Sequence, residues 1–179
     1  MDKRFILTAF GKNRPGIAAD VTRILYENGC NLEDNSMTRL ADEFTLILLL
    51  TCPDSETVEQ LQKECRRLEM DKGISAFMRP VAERQETDQT PPADCTLQVE
   101  GMDQAGIVYK ISQHLADKNV DIVDLKSSVK ESPLSGTSIY LMNIEVQLPE
   151  DMTPKNLEDS LVPVADDLHV DITVSTESS

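Results

Sequence analysis

Two short segments carry residue types that could bind a small molecule. One is NRPGI, from Asn13 to Ile17, and the other is DQAGI, from Asp103 to Ile107. In each, a glycine lets a ligand approach the backbone closely, and the helix predicted to follow offers unpaired N–H groups and partial positive charge to a carboxylate. A cap and a tight turn would explain either segment alone. Their recurrence in one chain favours a ligand site.

No other segment offers catalytic or metal-binding chemistry. His114 and His169 are the only histidines, and neither has a Cys, Asp or second His at ligand spacing. The sequence contains no nucleophile elbow, no Walker loop and no dinucleotide-binding fingerprint. We therefore predict no catalytic residue, no metal site and no cofactor. We expect His114, on the inner face of a helix, to be a satisfied imidazole in a core or an interface.

The composition and charge of the chain indicate which partners it can bind and where in the cell it is located. The formal net charge is -15, and such an acidic chain repels polyanions, which argues against direct binding to nucleic acid. The N-terminus lacks the apolar stretch of a signal peptide, and the longest apolar run, Leu46 to Leu50, is too short to cross a bilayer. We predict a cytoplasmic protein that does not enter membranes. Its cysteines lack a Cys-x-x-Cys pair, which favours buried, reduced thiols; they are Cys30, Cys52, Cys65 and Cys95.

The two candidate segments belong to a duplicated unit. The stretch from Phe5 to Asp34 recurs without a gap at an offset of 90 residues, whereas Pro53 meets Pro149 at an offset of 96, so the second copy has about six extra residues around 131–138. A long period that occurs only twice indicates two domains. We place them at 1–82 and 94–179, joined by a polar, Pro-containing linker at 83–93.

Each copy repeats one order of elements, β-α-β-β-α-β. This order predicts an α+β fold of two ferredoxin-like domains, each with two helices on one face of a four-stranded antiparallel sheet. The first strand of each copy should end at its glycine. Pro15 near the first helical position, with Asn13 before it, should start the first helix. Gly29 and Asn119 should end the first helix of each copy in the left-handed conformation, and Pro163 should kink or split the last helix.

Together these residues resemble the ACT domain, an amino-acid-sensing module of many metabolic enzymes and regulators. The segments NRPGI and DQAGI carry the resemblance, as do the helix exits NGCNL and KNVDI. Two such domains with no enzyme attached are similar to the glycine cleavage system transcriptional repressor family. The resemblance implies a regulator that is not an enzyme and binds a LysR-type transcriptional activator protein instead of DNA. Its expected signal is a small amino acid, with glycine as the first candidate. Assembly into a homo-oligomer is left open by the sequence.

The resemblance also implies which residues bind the ligand. ACT sites use a polar residue of the first turn and one that opens the second strand. A helix of about 14 residues is roughly 21 Å long, so Asn13 and Asn31 cannot hold one small molecule within a single domain. Antiparallel packing of the domains would place Asn13 opposite Asp121 and Asn31 opposite Asp103. Each site would then combine an amide for a carboxylate with an acid for an ammonium group. The expected ligand-binding set is Asn13, Arg14, Pro15, Gly16, Ile17, Asn31, Asp103, Gly106, Ile107 and Asp121.

Alternatives remain open at this point. Aspartates stand where related sites often carry Asn, and Ala105 stands where Pro is usual, which leaves the ligand and the competence of both sites undecided. A ligand-free interaction or adaptor protein, docking a partner through sheet edges or acidic helices, also fits the charge. A stand-alone allosteric subunit of a metabolic enzyme is a further alternative.

Overall fold

The computed structural model describes residues 3–81, 93–131 and 136–176. The chain divides into two compact units, residues 1–88 and 89–179. Apart from Ala93, the predicted linker lies outside the described residues, as do residues 132–135 of the predicted insertion.

The first unit is an antiparallel sheet covered by two helices. Its strands lie in the order β2-β3-β1-β4. Alternate residues of β1 and β3, such as Leu7 and Leu48, turn to one face and form a single core with Val21 and Leu61 of the helices. The elements are β1 (Lys3–Lys12), α1 (Ile17–Glu27), β2 (Asn31–Leu40), β3 (Glu43–Cys52), α2 (Ser55–Lys72) and β4 (Ser75–Pro80).

The second unit repeats this architecture with its own core. Its strands lie in the order β6-β7-β5-β8, and Leu97, Ile111, Ile144 and Leu161 are fully or almost fully buried. The predicted pair of ferredoxin-like βαββαβ units is therefore confirmed. None of the helices in the described ranges is both long and apolar enough to span a membrane. The elements are β5 (Cys95–Met102), α3 (Ile107–Asp117), β6 (Asp121–Glu131), β7 (Ser138–Gln147), α4 (Pro154–Leu168) and β8 (Val170–Ser175).

The start of α1 differs from the prediction. The N-cap is Gly16, in the left-handed conformation with φ 83°, and the helix begins at Ile17. The Ile17 N–H donates to the Arg14 carbonyl at 3.3 Å, so Pro15 and Gly16 are the central residues of a turn. A type II turn prefers Pro and then Gly at these positions. Pro15 and Asn13 therefore belong to the turn before the helix and do not start it. Likewise, β1 and β5 each run one residue past the expected glycine.

The other helix ends follow the prediction, with one exception. Gly29 and Asn119 have φ of 65° and 54°, which confirms their left-handed conformations. However, α4 runs unbroken through Pro163, so the expected split is wrong. The helix persists because Leu157 and Leu161 before the proline, and Leu168 after it, are all buried on the same core. Their burial offsets the hydrogen bond that proline removes.

Candidate functional site

The two predicted ligand turns share one backbone geometry. Gly16 has φ 83° and ψ -1°, and Gly106 has φ 96° and ψ -5°. A Cβ atom added at either position would meet no heavy atom within 4 Å. Positive φ explains why glycine occupies both positions, since other residues adopt this conformation at a cost. The open space means that a ligand can approach the backbone at both turns.

The helices that follow these turns lack side-chain caps. Neither α1 nor α3 has a side chain that accepts a hydrogen bond from its N-terminal N–H groups. By contrast, Asp54 caps α2 by accepting from the Thr57 N–H at 2.7 Å, and Thr153 caps α4 by accepting from the Asn156 N–H at 3.2 Å. The first N–H groups of a helix have no partner within the helix. Both candidate turns therefore present donors that the carboxylate of a ligand could satisfy.

Arg14 is held by an ion pair within its own domain. Its Nη2 lies 2.6 Å from Asp20 Oδ2, and Lys72 Nζ on α2 lies 3.4 Å from Asp20 Oδ1. The hydrogen bond from Arg14, and then the charge of Lys72, lower the pKa of Asp20. Arg14 thus ties the turn to α1, and Asp20 connects both to the end of α2.

In the second domain, different side-chain contacts hold the turn in place. Gln104 replaces Arg14 and donates a hydrogen bond to the Leu168 carbonyl at the end of α4. Lys110 replaces Asp20 and pairs with Asp167 of α4 at 2.5 Å, so the ion pair between helices has the opposite polarity. The two turns therefore keep the same backbone with different side chains around them.

In the first domain, the two predicted polar residues lie far apart. The Asn13 N–H donates to the Asp42 carbonyl at 2.6 Å, beside the end of β3 that begins at Glu43. Asn31 lies opposite Thr51, near the other end of β3. The eight residue steps from Glu43 to Thr51 correspond to about 26 Å of strand. A single domain cannot bring Asn13 and Asn31 onto one small ligand.

The second domain shows the same separation. The Asp103 N–H donates to the Ser138 carbonyl at 3.4 Å, and Asp121 lies opposite Gln147. The nine residue steps from Ser138 to Gln147 correspond to about 30 Å. The helix between the paired positions has 11 residues in each domain, shorter than expected, but the strand length leads to the same conclusion.

The remaining members of the predicted set differ in their access to solvent. Ile17 and Ile107 are 3% and 1% exposed, so their side chains belong to the cores and only their backbones can face a ligand. Asn13 is half-buried. The exposed members are Arg14, Pro15, Gly16, Asn31, Asp103, Gly106 and Asp121.

His114 has the structural role expected of it. Its Nε2 lies 2.9 Å from Ser160 Oγ on α4, and burial, followed by the charge of Lys118, lowers the pKa of the imidazole. A cleft of about 320 Å³ between α3 and α4 lies beside it, lined in part by Tyr109 and Val164, and contains none of the predicted ligand residues. Within the described ranges, no group of three His, Cys, Asp or Glu side chains could hold a metal ion.

One pair of reactive groups was missed by the sequence reasoning. The Sγ atoms of Cys30 and Cys52 lie 3.1 Å apart, although 22 residues separate them in the chain. A signal existed, because a hairpin of β2 and β3 places the residue before β2 beside the last residue of β3. All four cysteines are free thiols.

Comparisons with known proteins extend these observations. An ACT domain family model matches residues 3–79. Over 77 residues the chain is 30% identical to the UPF0237 protein MK1213 of Methanopyrus kandleri, covering 42% of this chain and 86% of that protein. Over 166 residues it is 25% identical to the glycine cleavage system transcriptional repressor of Escherichia coli, covering 92% of this chain and 85% of that protein.

Two solved structures share the fold along the whole chain. An unknown protein from Galdieria sulphuraria matches with a TM-score of 0.77 at 23% identity, covering 99% of this chain and 100% of that chain. A crystal structure described as a candidate glycine cleavage system transcriptional repressor matches with a TM-score of 0.72 at 20% identity, covering 100% and 99% of the two chains. The chain therefore belongs to the ACT-domain family, whose model matches its first domain. Its second domain repeats the same fold, and along most of its length the chain resembles the glycine cleavage system transcriptional repressor.

Proposed function

We propose that this protein senses a small amino acid and controls transcription through a protein partner, as a regulator and not as an enzyme. One observation carries the proposal. Of the four described helices, only α1 and α3 lack a side-chain cap, and these are the two helices that begin directly after Gly16 and Gly106. Open space at both glycines supports the same reading.

The amino acid would be held by two domains at once. In this proposal Asn13 and Asp121 form one site, and Asn31 and Asp103 form the other. The separations of about 26 and 30 Å within the domains mean that neither domain can hold the ligand with its own pair of residues. Because β2 and β6 are edge strands, the residues that open them are accessible to another domain.

Each site would match the two charges of an α-amino acid. The amide of Asn13 or Asn31 donates to the ligand carboxylate, together with the backbone N–H groups of the turn, and the aspartate accepts from the ammonium group. Glycine is the first candidate, since a relative that matches most of the chain is named for glycine cleavage.

The protein partner would supply the contact with DNA. A net charge of -15 opposes approach of this chain to the phosphate backbone. A transcriptional activator of the LysR type, which binds DNA itself, is therefore the proposed partner. The acidic chain would meet it through a protein surface, with the bound amino acid altering their affinity.

Isothermal titration calorimetry with glycine, serine and other amino acids tests the sensor. We expect two binding events for each chain. N13A and D121A should each remove the same event, so the N13A/D121A double variant should still bind one ligand. N13A/N31A should bind none. N35A is a matched control, because Asn35 is an exposed amide on β2 outside the predicted set.

The outcomes separate the alternatives. If the N13A/D121A variant bound no ligand, while each single variant bound one, the proposed pairing would be wrong. If no amino acid produced heat, the sensor would be refuted and the ligand-free adaptor would be favoured. Capture of a purified LysR-type activator, with and without the amino acid, tests the partner. A change in capture that N13A/N31A abolishes is expected, whereas amino-acid-independent capture would indicate an adaptor.

A further inference from the structure

A pair of thiols sits at the edge of the first sheet. Asn31 pairs with Thr51 in the β2–β3 ladder, so the next position outward places Cys30 beside Cys52. Their Sγ atoms are 3.1 Å apart. A disulfide requires about 2.05 Å between the two sulfurs, so an approach of roughly 1 Å would join them.

The backbone holds both cysteines in place. The Cys30 N–H donates to the Leu25 carbonyl at 3.0 Å, and the Gly29 N–H donates to the Tyr26 carbonyl at 3.1 Å, which together close the C-terminus of α1. Cys52 is fully buried at the end of β3. Bond formation therefore requires side-chain rotation more than backbone movement.

The second domain shows that packing does not require thiols at these positions. Asp121 pairs with Gln147, so the same outward step places Val120 beside Leu148. Both side chains belong to, or pack against, the core of that domain. An apolar pair thus fills these positions in the second domain, and only the first domain has two thiols there.

We propose that Cys30 and Cys52 form a reversible disulfide when the protein meets a small disulfide of the glutathione class. The half-buried Cys30, as thiolate, attacks one sulfur of that oxidant and expels a small thiolate, which takes a proton. Cys52, as thiolate, then attacks Cys30 Sγ and expels the second small thiolate, which takes the other proton. The protein thiols lose two electrons and two protons, and the oxidant becomes two thiols.

The surroundings of the two thiols determine the rate of this exchange. Burial, and after it the contact with Cys30, raises the pKa of Cys52 to about 12. Burial also raises the pKa of Cys30, although the contact with Cys52 offsets part of that rise. Since the thiolate is the attacking species, the reaction should be slow at neutral pH and faster in mild alkali.

The disulfide would link Cys30, which lies between α1 and Asn31, to Cys52 at the end of β3. Closing this loop should raise the thermal midpoint of the first domain by roughly 10–25 °C. A further consequence, which rests on the proposed function, is that oxidation changes the affinity of the binding event assigned to Asn31 and leaves the event assigned to Asn13 unchanged.

The test uses the full chain, oxidised glutathione at mildly alkaline pH, and mass spectrometry without reductant. Wild type should lose two hydrogen atoms, yield a peptide linked through Cys30 and Cys52, and recover on reduction. C65A/C95A, which keeps the pair, should behave like wild type. C52A should stop as a mixed disulfide at Cys30. C30V/C52L, which copies the pair of the second domain, should fold and lose no hydrogen.

Other outcomes overturn the proposal. They are retention of four thiols by wild type, accumulation of stable glutathione adducts on it, or loss of two hydrogens by C30V/C52L. Calorimetry of the reduced protein tests amino-acid binding independently, so failure of the disulfide and failure of the sensor are distinguishable.

Discussion

Replacing Gly16 by alanine separates the backbone cost of the turn from its role in binding. The φ of Gly16 is 83°, and an added Cβ meets nothing within 4 Å, so G16A introduces conformational strain without a clash. The left-handed conformation costs alanine about 1 kcal/mol relative to glycine. For a domain of this size, that corresponds to a fall of roughly 4–8 °C in the thermal midpoint of the first domain.

The same methyl group should interfere with the ligand. It would occupy the open space beside the uncapped N-terminus of α1, where the carboxylate of the amino acid is proposed to bind. We expect G16A to weaken one of the two binding events at least tenfold, or about 1.4 kcal/mol. G106A should do the same to the other event.

Gly73 provides the matched control. It has φ 66° at the C-cap of α2, an added Cβ there also meets nothing within 4 Å, and it is outside the predicted ligand set. G73A should lower the thermal midpoint by a similar amount and leave both binding events unchanged. The reasoning is refuted if G16A and G73A bind the amino acid equally well, or if G16A costs more than about 3 kcal/mol, which strain alone does not explain.

Three further predictions concern the scaffold. An added Cβ at Gly101 would lie 2.6 Å from Val170 Cγ1, so G101A should destabilise the second domain by about 1–3 kcal/mol in chemical denaturation. Adding V170A should cost less in G101A than in wild type, and strict additivity would contradict the clash. T153A should cost about 1 kcal/mol, because it removes the N-cap of α4; an unchanged denaturation midpoint would contradict this. The hydrogen bond from the Thr57 N–H lowers the pKa of Asp54 in the folded state. The stabilisation that the Asp54 carboxylate gives should therefore be present at neutral pH and be lost as the pH falls through the lowered pKa. D54N lacks the titrating group, so the thermal midpoint of this variant should lack this part of the pH dependence.

Much of the fold could be predicted because the evidence for it is local and repeated. Helical spacing of Ile17, Val21, Ile24 and Leu25 identified α1, and the left-handed end at Gly29 followed from its residue type. The start of α1 was predicted wrongly because its residues fit two local sequence rules at once. Pro15 suits both the first turn of a helix and the second position of a type II turn, and Gly16 decided for the turn.

The candidate site was predictable only in part. The sequence identified the glycine turns from their residue types and their recurrence. It did not show that Lys72 joins Arg14 in pairing with Asp20, because the start of α1 and the end of α2 meet only after both helices pack on the sheet. For the same reason, distance along the chain concealed the contact between Cys30 and Cys52.

The sequence by itself determined the duplication, the order of elements and the positions of the glycine turns, since each depends on residue type and spacing within a short stretch. Only the tertiary structure decided which groups are free and which are committed to partners. Strand register places Asn13 and Asn31 at opposite ends of a sheet and two thiols side by side, and register is a property of paired strands that neither strand possesses alone.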